Sequence, residues 1–101
     1  MSSKTNFIKT GKIVGSGAAK KVVLGFKPVK VELVNETGLA QAVKTNTMDG
    51  AYAAKQVTAG TMTFANNVCT LNSDGFSLGT DTDMNVAGEV VHYVAYEAVN
   101  E

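Results

Sequence analysis

Three short clusters in this 101-residue chain bring together side chains that could do chemistry. Gly75-Phe76-Ser77-Leu78-Gly79 fits the G-x-S-x-G pattern of a nucleophile elbow. Asp81, Asp83 and His92 follow it in the Ser, Asp, His order of the α/β-hydrolases. Acyl transfer by such a triad needs the serine on a strained turn between a strand and a helix, whose N-terminus supports the oxyanion. Here Thr-Asp-Thr-Asp follows Gly79, then another β-rich segment, so the helix is missing. The pattern reads better as a strand with Phe76 and Leu78 in the core and Ser77 outside. In the second cluster, Asp81-Thr82-Asp83-Met84-Asn85, oxygen ligands recur at alternate positions, as at the start of a calcium loop. The sixth position of an EF-hand must be Gly and the twelfth Glu, whereas Val86 and His92 stand there. An Asp/Asn turn bonding its own backbone amides is the expected reading, with calcium at Asp81, Asp83 and Asn85 left open.

The third cluster, Gly15-Ser16-Gly17-Ala18-Ala19-Lys20, fits neither dinucleotide nor Walker spacing, and a glycine-rich turn explains it better. One Cys and one His cannot make a zinc ligand set. Cys69, between Val68 and Thr70, is expected to be a small half-buried hydrophobe, and His92 a packed, hydrogen-bonded residue. No base, nucleophile and orienting group assemble. The chain reads as a non-enzyme without cofactor or metal.

The elements that carry these residues are strands. Val and Thr are the dominant β-branched residues, and ten Gly interrupt the chain at short intervals. Residues 7–14 alternate, with Ile8, Thr10, Lys12 and Val14 on one face of a partly exposed first strand. Lys20–Phe26 follows as a second. After Pro28, Val29, Val31 and Leu33 point inward while Lys30, Glu32 and Glu36 point out. Asn35–Gly38 and Asp49-Gly50 are turn signals, with a strand over Leu39–Thr47 between them. Ala51–Gln56 is the one place where a short helix is expected, although six residues are few for one. Thr61–Ala65 and Val68–Leu71 read as two strands joined at Asn66-Asn67. Glu89–Ala98 is apolar on both faces, which places it in the middle of a sheet or between layers. The spacing of turns predicts an all-β fold: a small antiparallel β-sandwich or jelly-roll-like barrel over residues 7–101, with a polar arm over residues 1–6.

Composition narrows the partners. Nine Lys against nine Asp plus Glu give zero net charge, and Arg is absent, which argues against nucleic acid as a partner. Charged residues make up 18%, below the usual quarter or so, and 45% are hydrophobic, enough for a core. A single Cys excludes an intrachain disulfide. No apolar run reaches the roughly 18 residues that span a bilayer. The polar start has no apolar h-region, so synthesis in a cytoplasm without a signal peptide is expected, and no membrane partner.

The succession TGKIVGSGAAKKVVLGFKPVKVELVN, followed by DGFSLGTDTDMNVAGEVVHYVAYEA, resembles a layout of small tailed-phage virion proteins. There Gly25-Phe26-Lys27-Pro28 separates two early strands. Gly75-Phe76 through Gly79, then Asp83–Glu89, leads into an aromatic last strand. The layout is similar to that of capsid decoration (cement) proteins and of domains from tail fibres and spikes. The resemblance implies turns at Gly25, Gly75 and Gly88, and core or interface mass from Phe26, Phe76, Tyr93 and Tyr96. It implies a structural protein on the virion surface, a homo-oligomer with a trimer favoured, whose partner is the major capsid protein. Ser2, Ser3, Lys4, Thr5, Asn6 and Phe7 are the expected contact arm, since a polar terminus orders only when tied down. The alternative is a tail-fibre, spike or carbohydrate-recognition module, which Tyr52, Tyr93 or Tyr96 lining an exposed groove would favour.

Overall fold

Alternation at period two builds the regular structure of residues 7–98, the part of the chain that the computed structural model describes. Nine strands lie among them: β1 (Ile8–Val14), β2 (Lys20–Val23), β3 (Pro28–Asn35), β4 (Ala40–Thr45), β5 (Ala53–Gln56), β6 (Met62–Ala65), β7 (Cys69–Asn72), β8 (Gly75–Leu78) and β9 (Val90–Glu97). They form a six-stranded sheet in the order β1-β9-β3-β4-β5-β6 and a three-stranded sheet in the order β2-β8-β7. Every pairing is antiparallel. The architecture is all-β, as expected, but the sheets do not close into a barrel. The reason is topological. At β1–β2 and at β6–β7 the chain passes from one sheet to the other by a loop instead of pairing, so among the described residues each sheet keeps two unpaired edges.

One apolar cluster joins the layers. Val31, Leu33 and Val91 of the large sheet pack against Val68, Phe76 and Leu78, all at most 1% exposed. Phe76 meets Tyr93 edge-on, with ring centroids 5.2 Å apart. Such contacts add about 0.5–1.5 kcal/mol beyond the area they bury. Gly11 lies opposite Tyr93 across the β1–β9 pair, and a side chain there would collide with the ring. The most apolar strand, β9, does lie inside the sheet, between β1 and β3.

Two expectations need correction, the helix over Ala51–Gln56 and the turn at Gly75. Ala51–Gln56 is no helix: Ala53–Gln56 is strand β5, paired on both sides by Gln41–Val43 and by β6. Two ladders of hydrogen bonds outweigh the helix preference of two alanines in so short a segment. The two strands joined at Asn66-Asn67 are present as β6 and β7, and they belong to different sheets, because Asn67, at φ 60°, turns the chain into the other one. As expected, Ile8, Thr10, Lys12 and Val14 share one face of the partly exposed β1; that face is the solvent-facing one, and Ile13 goes into the core. Gly75 is the first residue of β8 rather than a turn residue, while Gly25 and Gly88 do hold positive φ, at 89° and 82°.

Candidate interaction surface

The residues of the apparent hydrolase pattern face away from one another. Phe76 and Leu78 are buried and Ser77 lies on the opposite face of β8, where its Oγ accepts a hydrogen bond from Asn72 Nδ2 at 2.9 Å. His92 stands on the outer face of the large sheet and is exposed, with Glu36 as its partner. It is not the packed residue expected, because the strand alternates and Val91, Tyr93 and Ala95 take the inner face. The glycines of the pattern serve packing. A side chain at Gly75 would strike the Val22 carbonyl, and one at Gly79 the Asn67 carbonyl.

The acidic turn holds a cation, and that cation is a lysine. Lys55 Nζ donates to Asp81 Oδ1 at 2.8 Å and to Asp83 Oδ2 at 2.7 Å, while the second Asp81 oxygen accepts from the amides of Asp83 and Met84. The Lys55 and Asp81 side chains are only 11% and 8% exposed. Burial alone would lower the Lys55 pKa; the hydrogen bonds and charges of Asp81 and Asp83 outweigh it and leave the ammonium more basic than usual. Asn85 is spent elsewhere. Its Oδ1 accepts from the amides of Ser16 and Gly17, and its Nδ2 donates to the carbonyls of Ala18 and Gly79. Those two amides are the ones a phosphate loop would have offered to a ligand.

A second buried lysine closes the β4–β5 connection. Lys44, 2% exposed, donates to the carbonyls of Met48, Gly50 and Tyr52, each at 2.8 Å, with Asp49 O at 3.3 Å. Burial lowers its pKa against the pull of nearby Cys69 and Asp49. Cys69 is fully buried rather than half-buried, and burial pushes its thiol up to about 12, so it stays protonated at neutral pH. The sequence reading missed both lysines. A signal was present: in Ala40-Gln41-Ala42-Val43-Lys44 and Ala53-Ala54-Lys55, each lysine falls on the buried parity of its strand.

What remains open to a partner is surface. Register places Thr10, Val94, Glu32, Val43, Ala54 and Phe64 in one row across the outer face of the large sheet. Among the described residues no other strand covers that face. Most of its charges are paired: Lys30 with Glu32 at 3.2 Å, Tyr96 Oη donating to Glu32 at 3.0 Å, and His92 with Glu36, while Lys12 stands exposed beside them. Ile8, Val14, Val34, Met62 and Phe64 stand exposed on it. A shallow groove of about 490 Å³ opens at one end, lined in part by Val34, Leu39, Gln41 and Val57. Leu39 holds a left-handed φ of 58° and still exposes its side chain.

Of the expected arm, Ser2, Ser3, Lys4, Thr5 and Asn6 lie outside the described residues. Phe7 is anchored but exposed. Its amide donates to Glu97 Oε1 at 3.1 Å, its carbonyl accepts from Glu97 N at 2.9 Å, and its ring lies 6.1 Å from that of Phe26. Tyr52 stacks on Phe64 at 5.5 Å as an exposed aromatic pair. Comparison with known protein families, curated proteins and solved structures finds no match.

Proposed function

We propose that the protein is a structural virion component that binds the outside of an assembled phage capsid and stabilises contacts between its subunits. The observation that carries this reading is the outer face of the six-stranded sheet, which no other described strand covers, with its many small and apolar side chains and Glu32 and Glu36 paired within it. A surface of this kind adheres by shape and apolar contact, not by chemistry or net charge. The titratable side chains inside the molecule, Lys44, Lys55 and Cys69, hold its own loops and core together. Stabilisation of the shell follows mass action, because the protein binds assembled subunits and not dissociated ones. Phe7, exposed and tied to the β1 end, contacts the same partner in this reading, with Ser2, Ser3, Lys4, Thr5 and Asn6 as further contact residues.

The experiment mixes purified protein with undecorated, expanded capsids and sediments them. Co-sedimentation that persists in moderate salt is expected, with weaker binding after deletion of residues 2–6. Failure to co-sediment overturns the reading, and loss of binding in moderate salt overturns its apolar character. A second reading, a tail-fibre or carbohydrate-recognition module, draws on the exposed Tyr52–Phe64 stack. Retention on a glycan surface, lost with Tyr52→Ala, would favour it.

A further inference from the structure

We infer that β6 is a self-pairing edge, through which two copies of this chain join their six-stranded sheets across a two-fold axis. β6 is the last strand of its sheet, and Met62 and Phe64 are 64% and 56% exposed. Native sheet edges are ordinarily guarded by lysines, prolines or bulges. This one has neither lysine nor proline: from Gln56 to Ser73, across β6 and β7, the sequence holds no charged residue and no proline.

The hairpin that precedes β6 fixes which backbone groups are free. Val57 N–H donates to Thr61 O at 3.3 Å, Gly60 N–H donates to Val57 O at 2.8 Å, and Gly60 has a φ of 86°. This is a three-residue hairpin loop with glycine in the left-handed position. Thr61 therefore points its backbone groups at β5, and by alternation so do Thr63 and Ala65. Met62 and Phe64 point theirs away from the sheet. Two copies meeting antiparallel with Thr63 opposite Thr63 then put each Met62 opposite a Phe64. Four inter-chain hydrogen bonds form, and each Met62 thioether lies against a Phe64 ring, a favourable sulfur–aromatic contact.

Charge selects a second copy as the occupant. Across a two-fold axis a patch meets itself, so any charged strip would face its own sign. An uncharged strip with a methionine and an aromatic two residues apart complements itself. The strand is short and the interface small, so self-association is expected at tens to hundreds of micromolar, about the range of weak contacts. A two-fold pair replaces the trimer that the virion resemblance implied, and it does not depend on the capsid reading.

Sedimentation equilibrium from about 1 µM to about 1 mM tests it. The wild type is expected to rise from its 10.5 kDa monomer towards double that mass. Met62→Glu and Phe64→Lys alone should each weaken association at least about tenfold; Met62→Glu should leave the melting temperature unchanged, since its side chain is exposed, and Phe64→Lys should lower it only slightly, through the lost stack on Tyr52. Mixing the two variants should restore a heterodimer, with the introduced lysine of one chain opposite the introduced glutamate of the other and one native Met–Phe contact kept. A wild type that stays monomeric throughout overturns the inference. Association that is untouched by either substitution overturns it too, and an absence of recovery on mixing contradicts the two-fold register.

Discussion

The two pairs of sheet edges use lysine in opposite ways. β1 and β2, consecutive in the chain and each an edge of its sheet, carry Lys9, Lys12, Lys20 and Lys21 on exposed positions. β6 and β7, the other two edges, carry no charge, and the lysines of the neighbouring β4 and β5 are turned inward. On one side lysine keeps foreign strands from adding to the sheet. On the other, Lys44 and Lys55 hold loops from within while the edge outside is left bare. The difference separates two properties that composition merges: how a chain stays soluble, and how it stays folded. Zero net charge says nothing of this, because it sums the guarded and the unguarded edges.

The largest expected effect comes from the inward lysines. Lys55→Ala leaves Asp81 buried without its cation and should cost about 3–5 kcal/mol in denaturant unfolding. A loss below about 1 kcal/mol would mean that water solvates the pair and that the inward use of lysine is incidental. Lys44→Met keeps the aliphatic stem but orphans the carbonyls of residues 48, 50 and 52, and should cost about 2–3 kcal/mol. Hydrogen exchange should quicken first in the β4–β5 connection.

An effect that is smaller per pH unit, and appears only in alkali, comes from Cys69 on β7. Burial raises its pKa from an ordinary 9.0 to about 12. Between those values the folded chain holds a proton that the unfolded chain has lost. Stability therefore falls as pH rises through that window, by about 1.4 kcal/mol per unit. Lys44, whose folded pKa is lowered, works with the opposite sign: the unfolded chain binds more protons, so stability climbs as pH passes from its folded to its unfolded value. The difference between wild type and Cys69→Ala isolates the thiol, and an unchanged alkaline slope would contradict its burial. The thiol should also resist alkylation at neutral pH until the chain unfolds. The smallest effect on stability comes from the guarded edge. Lys9→Thr with Lys12→Thr should move the melting temperature by less than about 2 °C, yet raise light scattering at high concentration. If scattering does not rise, those lysines do not guard β1.

Much of the strand framework was legible, since Val31, Leu33, Phe76 and Leu78 alternate with polar neighbours and β9 is apolar on both faces. The acidic turn was legible as a cluster of oxygens bonding its own amides, but not its cation. Lys55 lies 26 residues away from Asp81, and nothing local says that β5 will bring it there. The Ala51–Gln56 segment misled because alanine is read as helical, whereas its fate was decided by partners on both sides. The separation of β6 from β7 was hidden for a similar reason: one residue at positive φ, Asn67, changes sheets where the sequence shows an ordinary turn signal. The bare edge itself was in plain sight from Gln56 to Ser73. It acquires meaning only once β6 is known to end its sheet.

The contrast between the edges can be read amide by amide, by hydrogen exchange at low and at high protein concentration. The outward-pointing amides of Met62 and Phe64 on β6, and of Thr10 and Lys12 on β1, are unpaired in the single chain by the alternation of their ladders. Protection that grows with concentration at Met62 and Phe64 and stays flat at Thr10 and Lys12 is the predicted result. Protection that grows at Thr10 and Lys12, or that moves at neither edge, would contradict the account.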